Sequence, residues 1–207
     1  MSIRVQYIFD FASPNAYLAH RLVPEIQSRT GVSFEYVPAL LGGIFKATNN
    51  VSPVISLQGI KNKGEYQGLE MRRFVAKHGL GEFRSNPHFP INTLQIMRGA
   101  VVAQREGCFP SYVDEVFRHM WEDPKDMADA EVLRSALEES GLPADAILAG
   151  IQDPSVKQQL IDNTQDAVDR GVFGIPSFFV AEELYFGKDR LREVEEEIGR
   201  CLEVEAG

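Results

Sequence analysis

The chain is poor in sulfur. Among 207 residues it has only two cysteines, Cys108 and Cys201. They are isolated, with no Cys-X-X-Cys and no metal-ligand spacing, which argues against a built-in redox pair or a zinc site. Long apolar runs are also missing. No stretch approaches the roughly 20 apolar residues that cross a bilayer, so no membrane partner is expected. Positive charge is scarce: 21 Lys and Arg stand against 30 Asp and Glu, a net charge of −9. That balance argues against nucleic acid, whose phosphates need clustered Lys and Arg. Much of the acid lies in Glu193–Glu197 and Glu138–Glu139, which read as solvated helix faces. The N-terminus enters a strand pattern at once, without the basic, apolar and small-residue regions of a signal peptide, so a cytoplasmic location is expected. There is no internal repeat, low-complexity tract or linker. With 44% hydrophobic residues, the chain can bury one domain's core, or one domain with an insertion.

Hydrophobic periodicity sets the order of elements. Residues 3–11 alternate and are rich in Val, Ile, Tyr and Phe, which predicts a strand. Ser13-Pro14 then opens a helix, since Pro suits the first turn, and Tyr17, Leu18, Leu22, Val23 and Ile26 form its stripe up to Gly31. Residues 32–38 read as a second, parallel strand, giving a β-α-β opening. Helical spacing follows over 61–78, 92–106, 110–121, 129–140 and from Asp153-Pro154 to about Gly171. Phe117, Met120 and Trp121 look like core packing of that block. Strands return at 177–180 and 183–186, and a last helix starts near Asp189. The expected fold is α/β: a thioredoxin-like β-α-β … β-β-α unit over 1–58 and 172–207, with an all-helical insertion over 59–171.

Two segments carry the chemistry. One is Asp10-Phe11-Ala12-Ser13-Pro14-Asn15-Ala16-Tyr17, a strand running into a helix start. The other is Phe173-Gly174-Ile175-Pro176, a Gly-X-Pro step into a strand. A thioredoxin-type active site sets a reactive residue at such a helix start against such a Pro loop. Redox members carry Cys-X-X-Cys there. Here the two positions are Ser13 and Ala16, and Ala16 cannot resolve a mixed disulfide, which argues against a thiol-disulfide oxidoreductase. The site would borrow its sulfur from a ligand. Taken alone, Ser13 is also an ordinary N-cap.

With Leu41-Gly42-Gly43-Ile44-Phe45-Lys46, Phe89-Pro90-Ile91-Asn92-Thr93 and Phe186-Gly187-Lys188-Asp189-Arg190 added in order, the chain resembles the 2-hydroxychromene-2-carboxylate isomerases and the related kappa-class glutathione transferases. Both are DsbA-like in architecture, and the resemblance covers nearly the whole chain. It implies glutathione as cofactor and Ser13 as the catalytic, thiolate-stabilising residue. A helix N-terminus and a hydroxyl donor together would lower a thiol pKa by about one to two units from about 8.5.

The resemblance also implies a cis Pro176, with Ile175 offering its N–H and C=O to the cysteinyl part of the cofactor. Phe186, Gly187, Lys188 and Asp189 would hold the γ-glutamyl end, although Asp189 alone also reads as a helix N-cap. Lys188 departs from the small or polar residue usual there. Asn50 and Lys63, with Lys61 as the alternative, would lie near the cofactor's peptide and glycine carboxylate. Lys46 would lie near a carboxylated substrate, and Asn92 would face the substrate pocket or cap a helix. His88 and His119 receive no role.

The implied activity is glutathione-dependent isomerisation of a 2-hydroxychromene-2-carboxylate-type aromatic carboxylate, as in naphthalene-type catabolism, by reversible thiolate addition and C=C rotation. A kappa-like glutathione transferase and a non-catalytic glutathione- or peptide-binding module remain the alternatives, retained Ser13 arguing against the second. A homodimer enters only through the family resemblance.

Overall fold

The computed structural model describes residues 3–206. Strand β1 (Val5–Phe9) is buried along its whole length because it is central. On one side β2 (Phe34–Pro38) pairs with it in parallel; on the other β3 (Ser177–Val180) pairs antiparallel, followed by β4 (Glu183–Phe186), for the order β2-β1-β3-β4. Registry sets Tyr7 opposite Tyr36 and Phe178, and the three rings meet. A parallel pair requires a crossover, and α1 (Pro14–Thr30) supplies it. Its ends follow the signals read above. Ser13 is the N-cap, Pro14 takes the first position, and Gly31 closes the helix at φ 72° with its N–H on the Gln27 carbonyl.

Eight helices lie between β2 and β3: α2 (Leu41–Ala47), α3 (Pro53–Ser56), α4 (Lys63–Lys77), α5 (Leu94–Arg105), α6 (Phe109–Trp121), α7 (Ala130–Glu139), α8 (Ala144–Gly150) and α9 (Pro154–Asp169). After β4, a 3-10 turn (Lys188–Arg190) leads into α10 (Leu191–Ala206). Gly187, at φ 97°, takes the cap position ahead of that turn, so Asp189 lies inside it and is not its N-cap. Three short helices, α2, α3 and α8, lie where no helix was expected. The segment holding Lys46, for which no element was expected, is the end of α2. Gly42 and Gly43 weaken its helical signature, since each Gly costs about 1 kcal/mol against Ala.

The buried side chains form one continuous cluster across the expected boundaries at 58/59 and 171/172. Aromatic rings join sheet to helices: Phe11 meets Phe117 edge-on at 4.8 Å, and the Trp121 indole N–H donates to the Phe11 carbonyl at 2.9 Å. Helices α5 and α6 approach closely at Gly99. A Cβ there would lie 2.1 Å from the Tyr112 hydroxyl, itself bonded to the Ile96 carbonyl. Gly99→Ala is therefore expected to destabilise the fold by about 1–3 kcal/mol, because a displaced Tyr112 outweighs the gain in helix propensity. Urea unfolding measures it; an unchanged or raised midpoint would show that Tyr112 yields freely. No helix among the described residues is long and apolar enough to cross a membrane.

Candidate active site

The two segments singled out in the sequence meet at a cleft of about 520 Å³ at the head of α1. Its floor is Ser13, only 5% exposed. The Ser13 Oγ accepts from the Ala16 N–H at 3.2 Å, the N-cap bond, and donates to the Ile175 carbonyl at 3.1 Å. Capping and contact with the facing loop are thus properties of one hydroxyl. Ile175–Pro176 is cis. The loop is held from both flanks, by Ser177 Oγ–H on the Gly174 carbonyl (2.8 Å) and the Gly187 N–H on the Pro176 carbonyl (2.9 Å). Gly174 lets the exposed Phe186 ring lie close to the loop, since a Cβ there would come within 2.8 Å of that ring and make it shift.

The positive end of α1 opens into this cleft. Its first turn holds no acidic residue. Among the described residues the N–H groups of Asn15 and Ile175, both lining the cleft, donate to no protein group. A helix start with a free N–H, an adjacent hydroxyl and an unpaired loop N–H fits an anion. It also fits an extended peptide that adds to the loop as a strand would.

Beneath Ser13 lies Asp10, wholly buried. Its Oδ1 accepts from the Ala12 N–H (2.9 Å) and the Thr93 hydroxyl (2.8 Å), and its Oδ2 from the Leu41 N–H (2.8 Å). One carboxyl therefore ties the turn before α1 to the starts of α2 and α5. Burial, the largest cause, raises its pKa above the ordinary 3.8, while the three hydrogen bonds pull the other way.

The far wall carries Phe186, Lys188 and Asp189. Lys188 is 5% exposed, its ammonium 2.6 Å from Asp189 Oδ1 and 4.3 Å from the Phe74 ring centre. Asn50 lines the cleft but spends its side chain locally: its Nδ2 donates to the Phe173 carbonyl at 2.9 Å and its Oδ1 accepts from the Val51 N–H.

The structure therefore brings Ser13, Asn50, Ile175, Phe186, Lys188 and Asp189 to one cleft, with cis Pro176 and Gly187 shaping its backbone. Three other candidates lie elsewhere. Lys63 is exposed at the first residue of α4 and, like Lys61, does not line the cleft. Lys46 lines a separate cavity on the other face of α2. Asn92 is exposed and its Oδ1 accepts from the Leu94 N–H at 3.0 Å, the helix-start role, while its neighbour Thr93 turns inward to Asp10. His88 and His119 do not line the cleft. Sequence reasoning missed Gln67, Glu70 and Met71, which α4 lays over it. With Phe74 they share one helical face, a signal masked by the more apolar Tyr66, Leu69 and Val75.

The DSBA-like thioredoxin domain family matches residues 4–199. A curated relative, the 2-hydroxychromene-2-carboxylate isomerase of Sphingobium xenophagum, is 28% identical over 92% of this chain and 95% of its own length. Human glutathione S-transferase kappa 1 is 25% identical over 90% of this chain and 87% of its own. Among solved structures, a 2-hydroxychromene-2-carboxylate isomerase superposes with a TM-score of 0.79 at 27% identity, covering 98% of this chain and 97% of that one.

Proposed function

Because the chain belongs to the DSBA-like thioredoxin-domain family yet carries Ser13 and Ala16 in place of a cysteine pair, we propose that it is a glutathione-dependent isomerase of a small aromatic carboxylate of the 2-hydroxychromene-2-carboxylate type. The observation that carries this reading is the Ser13 hydroxyl: buried, at the positive end of α1, and 3.1 Å from the carbonyl of the loop that faces it. The relatives named as isomerases support the reaction, and the one named as a glutathione transferase supports the cofactor. Glutathione, when bound, would supply the thiolate for reversible addition to a conjugated carbon, the chemistry that permits C=C rotation and regenerates the cofactor.

The chain's own residues do the rest. With the cofactor bound, Ser13 Oγ–H would donate to the sulfur in place of the Ile175 carbonyl, and the Asn15 N–H would add a second donor at the helix start. Ile175, released from Ser13, offers C=O and N–H together to a peptide backbone. At the far wall Asp189 would accept from a γ-glutamyl ammonium, and Lys188 beside it would attract the α-carboxylate of the same zwitterion. Asn50 holds the Phe173–Pro176 loop in position. Lys63 and Lys61, exposed at the start of α4 and outside the cleft lining, receive no role in this reading.

The test follows 2-hydroxychromene-2-carboxylate by ultraviolet absorbance, with and without glutathione. Rapid conversion that needs glutathione is the expected result. No conversion at saturating glutathione would overturn the isomerase assignment, and conjugation of glutathione to an electrophilic chloroarene in its place would make the chain a transferase.

A further inference from the structure

A second cavity, of about 360 Å³, lies on the opposite face of α2 from the cleft. Helix α2 divides the two: Leu41 and Phe45 line the cleft, whereas Gly43, Lys46 and Ala47 line the cavity. Helix α9 closes the other side, and the two helices are pinned by the Leu40 N–H on Thr164 Oγ1 at 2.9 Å. A Cβ on Gly43 would come within 3.0 Å of Thr164 Cγ2, so the helices touch there and the cavity opens beside the contact.

Its charge runs against the rest of the molecule. The chain carries a net charge of −9, yet this cavity is lined by Lys46, Arg98 and Lys157 and by no carboxylate. Elsewhere the arginines are mostly paired: Arg4 with Glu35, Arg29 with Glu195 and Arg134 with Asp145. Arg98 has no hydrogen bond or ion pair among the described residues, and its Nε is buried without a partner. Lys46 likewise has none, and Lys157 reaches only the Gln152 amide oxygen at 3.2 Å. A buried guanidinium nitrogen left unpaired carries a desolvation cost that a bound acceptor removes. The rest of the lining is largely apolar, with Leu40, Leu94, Leu160, Ile161 and Val168. Ile161 is 58% exposed at the surface.

We propose that this cavity binds a small organic carboxylate with an apolar body. The carboxylate lies on Arg98, whose planar fork suits it, with Lys46 and Lys157 flanking. The apolar part rests on the leucines and Ile161. The volume falls in the lower part of the range of about 300–1,000 Å³ usual for small-ligand sites, which suits a single-ring compound. The site is distinct from the cleft and shares none of its lining residues.

Amide chemical-shift mapping of the full chain with phenylacetate tests it, with inorganic phosphate as the comparison anion. Phenylacetate is expected to shift residues 43–47, 94–98 and 157–165 with one saturating midpoint. Arg98→Gln should weaken that midpoint at least about tenfold, whereas Ser13→Ala should leave it unchanged. The dispersion of the amide spectrum reports whether Arg98→Gln folds; Lys157→Gln, on a half-buried surface side chain, gives the same reading by a smaller weakening. Shifts confined to residues 12–15 and 173–175, or midpoints unaltered by both variants, would overturn the proposal. Phosphate binding as tightly as phenylacetate would also overturn it, because the apolar lining would then contribute nothing.

Discussion

Asp10→Ala is expected to lower the unfolding free energy by about 2–4 kcal/mol. The substitution leaves the buried Thr93 hydroxyl and the part-buried N–H groups of Ala12 and Leu41 without their acceptor, a buried donor so orphaned costing about 1–3 kcal/mol and a part-buried one less. Removing a carboxyl that is costly to desolvate offsets part of that loss. Urea unfolding gives the number; a loss under about 1 kcal/mol would mean that the donors find other partners. Activity should fall as well, because the same bonds hold the turn that presents Ser13 and the start of α2 beneath the cleft.

Asp10→Asn separates charge from shape. The folded-state pKa of Asp10 is raised, so the native protein holds this proton more tightly than the unfolded chain does. Its favourable contribution is complete below the ordinary value of 3.8 and is lost as pH rises toward the folded-state pKa. Asparagine lacks that titration. The stability of wild type relative to Asp10→Asn should therefore shrink as pH rises through that window. Unfolding curves at a series of pH values check the sign, and a difference that grew with pH would contradict it.

Ser13→Ala is expected to lower glutathione-dependent turnover about 100-fold at neutral pH, the usual effect of removing one donor from a developing or resident anion. Loss of the N-cap costs stability as well, about 1 kcal/mol, which leaves the fold intact. The pH profile separates the two effects. A thiol with no stabilising donor ionises near its free value of about 8.5, so the variant's rate should climb about tenfold per unit up to that region while wild type stays flatter. Ser13→Thr keeps a hydroxyl at the same position and should restore much of the rate. A variant that lost activity equally at every pH would point to a structural role for Ser13 and against thiolate stabilisation.

Much of the fold was legible along the chain. The strands at 177–180 and 183–186 match β3 and β4, and α1 begins and ends where Ser13-Pro14 and Gly31 signal. Those features depend on neighbours a few residues apart, through caps, turn residues and side-chain alternation. Their physical cause is local, so the sequence determined them unaided. It also determined the central chemical fact, a hydroxyl and a methyl where redox relatives carry thiols.

Tertiary structure decided what depends on residues far apart. Nothing near Asp10 announces that it will bind Leu41 and Thr93, nor does anything around Arg98 say that Lys46 and Lys157 will line the same cavity. The resemblance implies a place near a carboxylated substrate for Lys46, and a seven-residue helix with two glycines leaves too weak a periodicity to say which of its side chains share a face. Once α2 forms, the rotation of about 100° per residue sends Phe45 into the cleft and Lys46 away from it. Local sequence chose the elements and their ends; which of their faces meet was set by the burial of one continuous core, a property that no short stretch of the chain possesses.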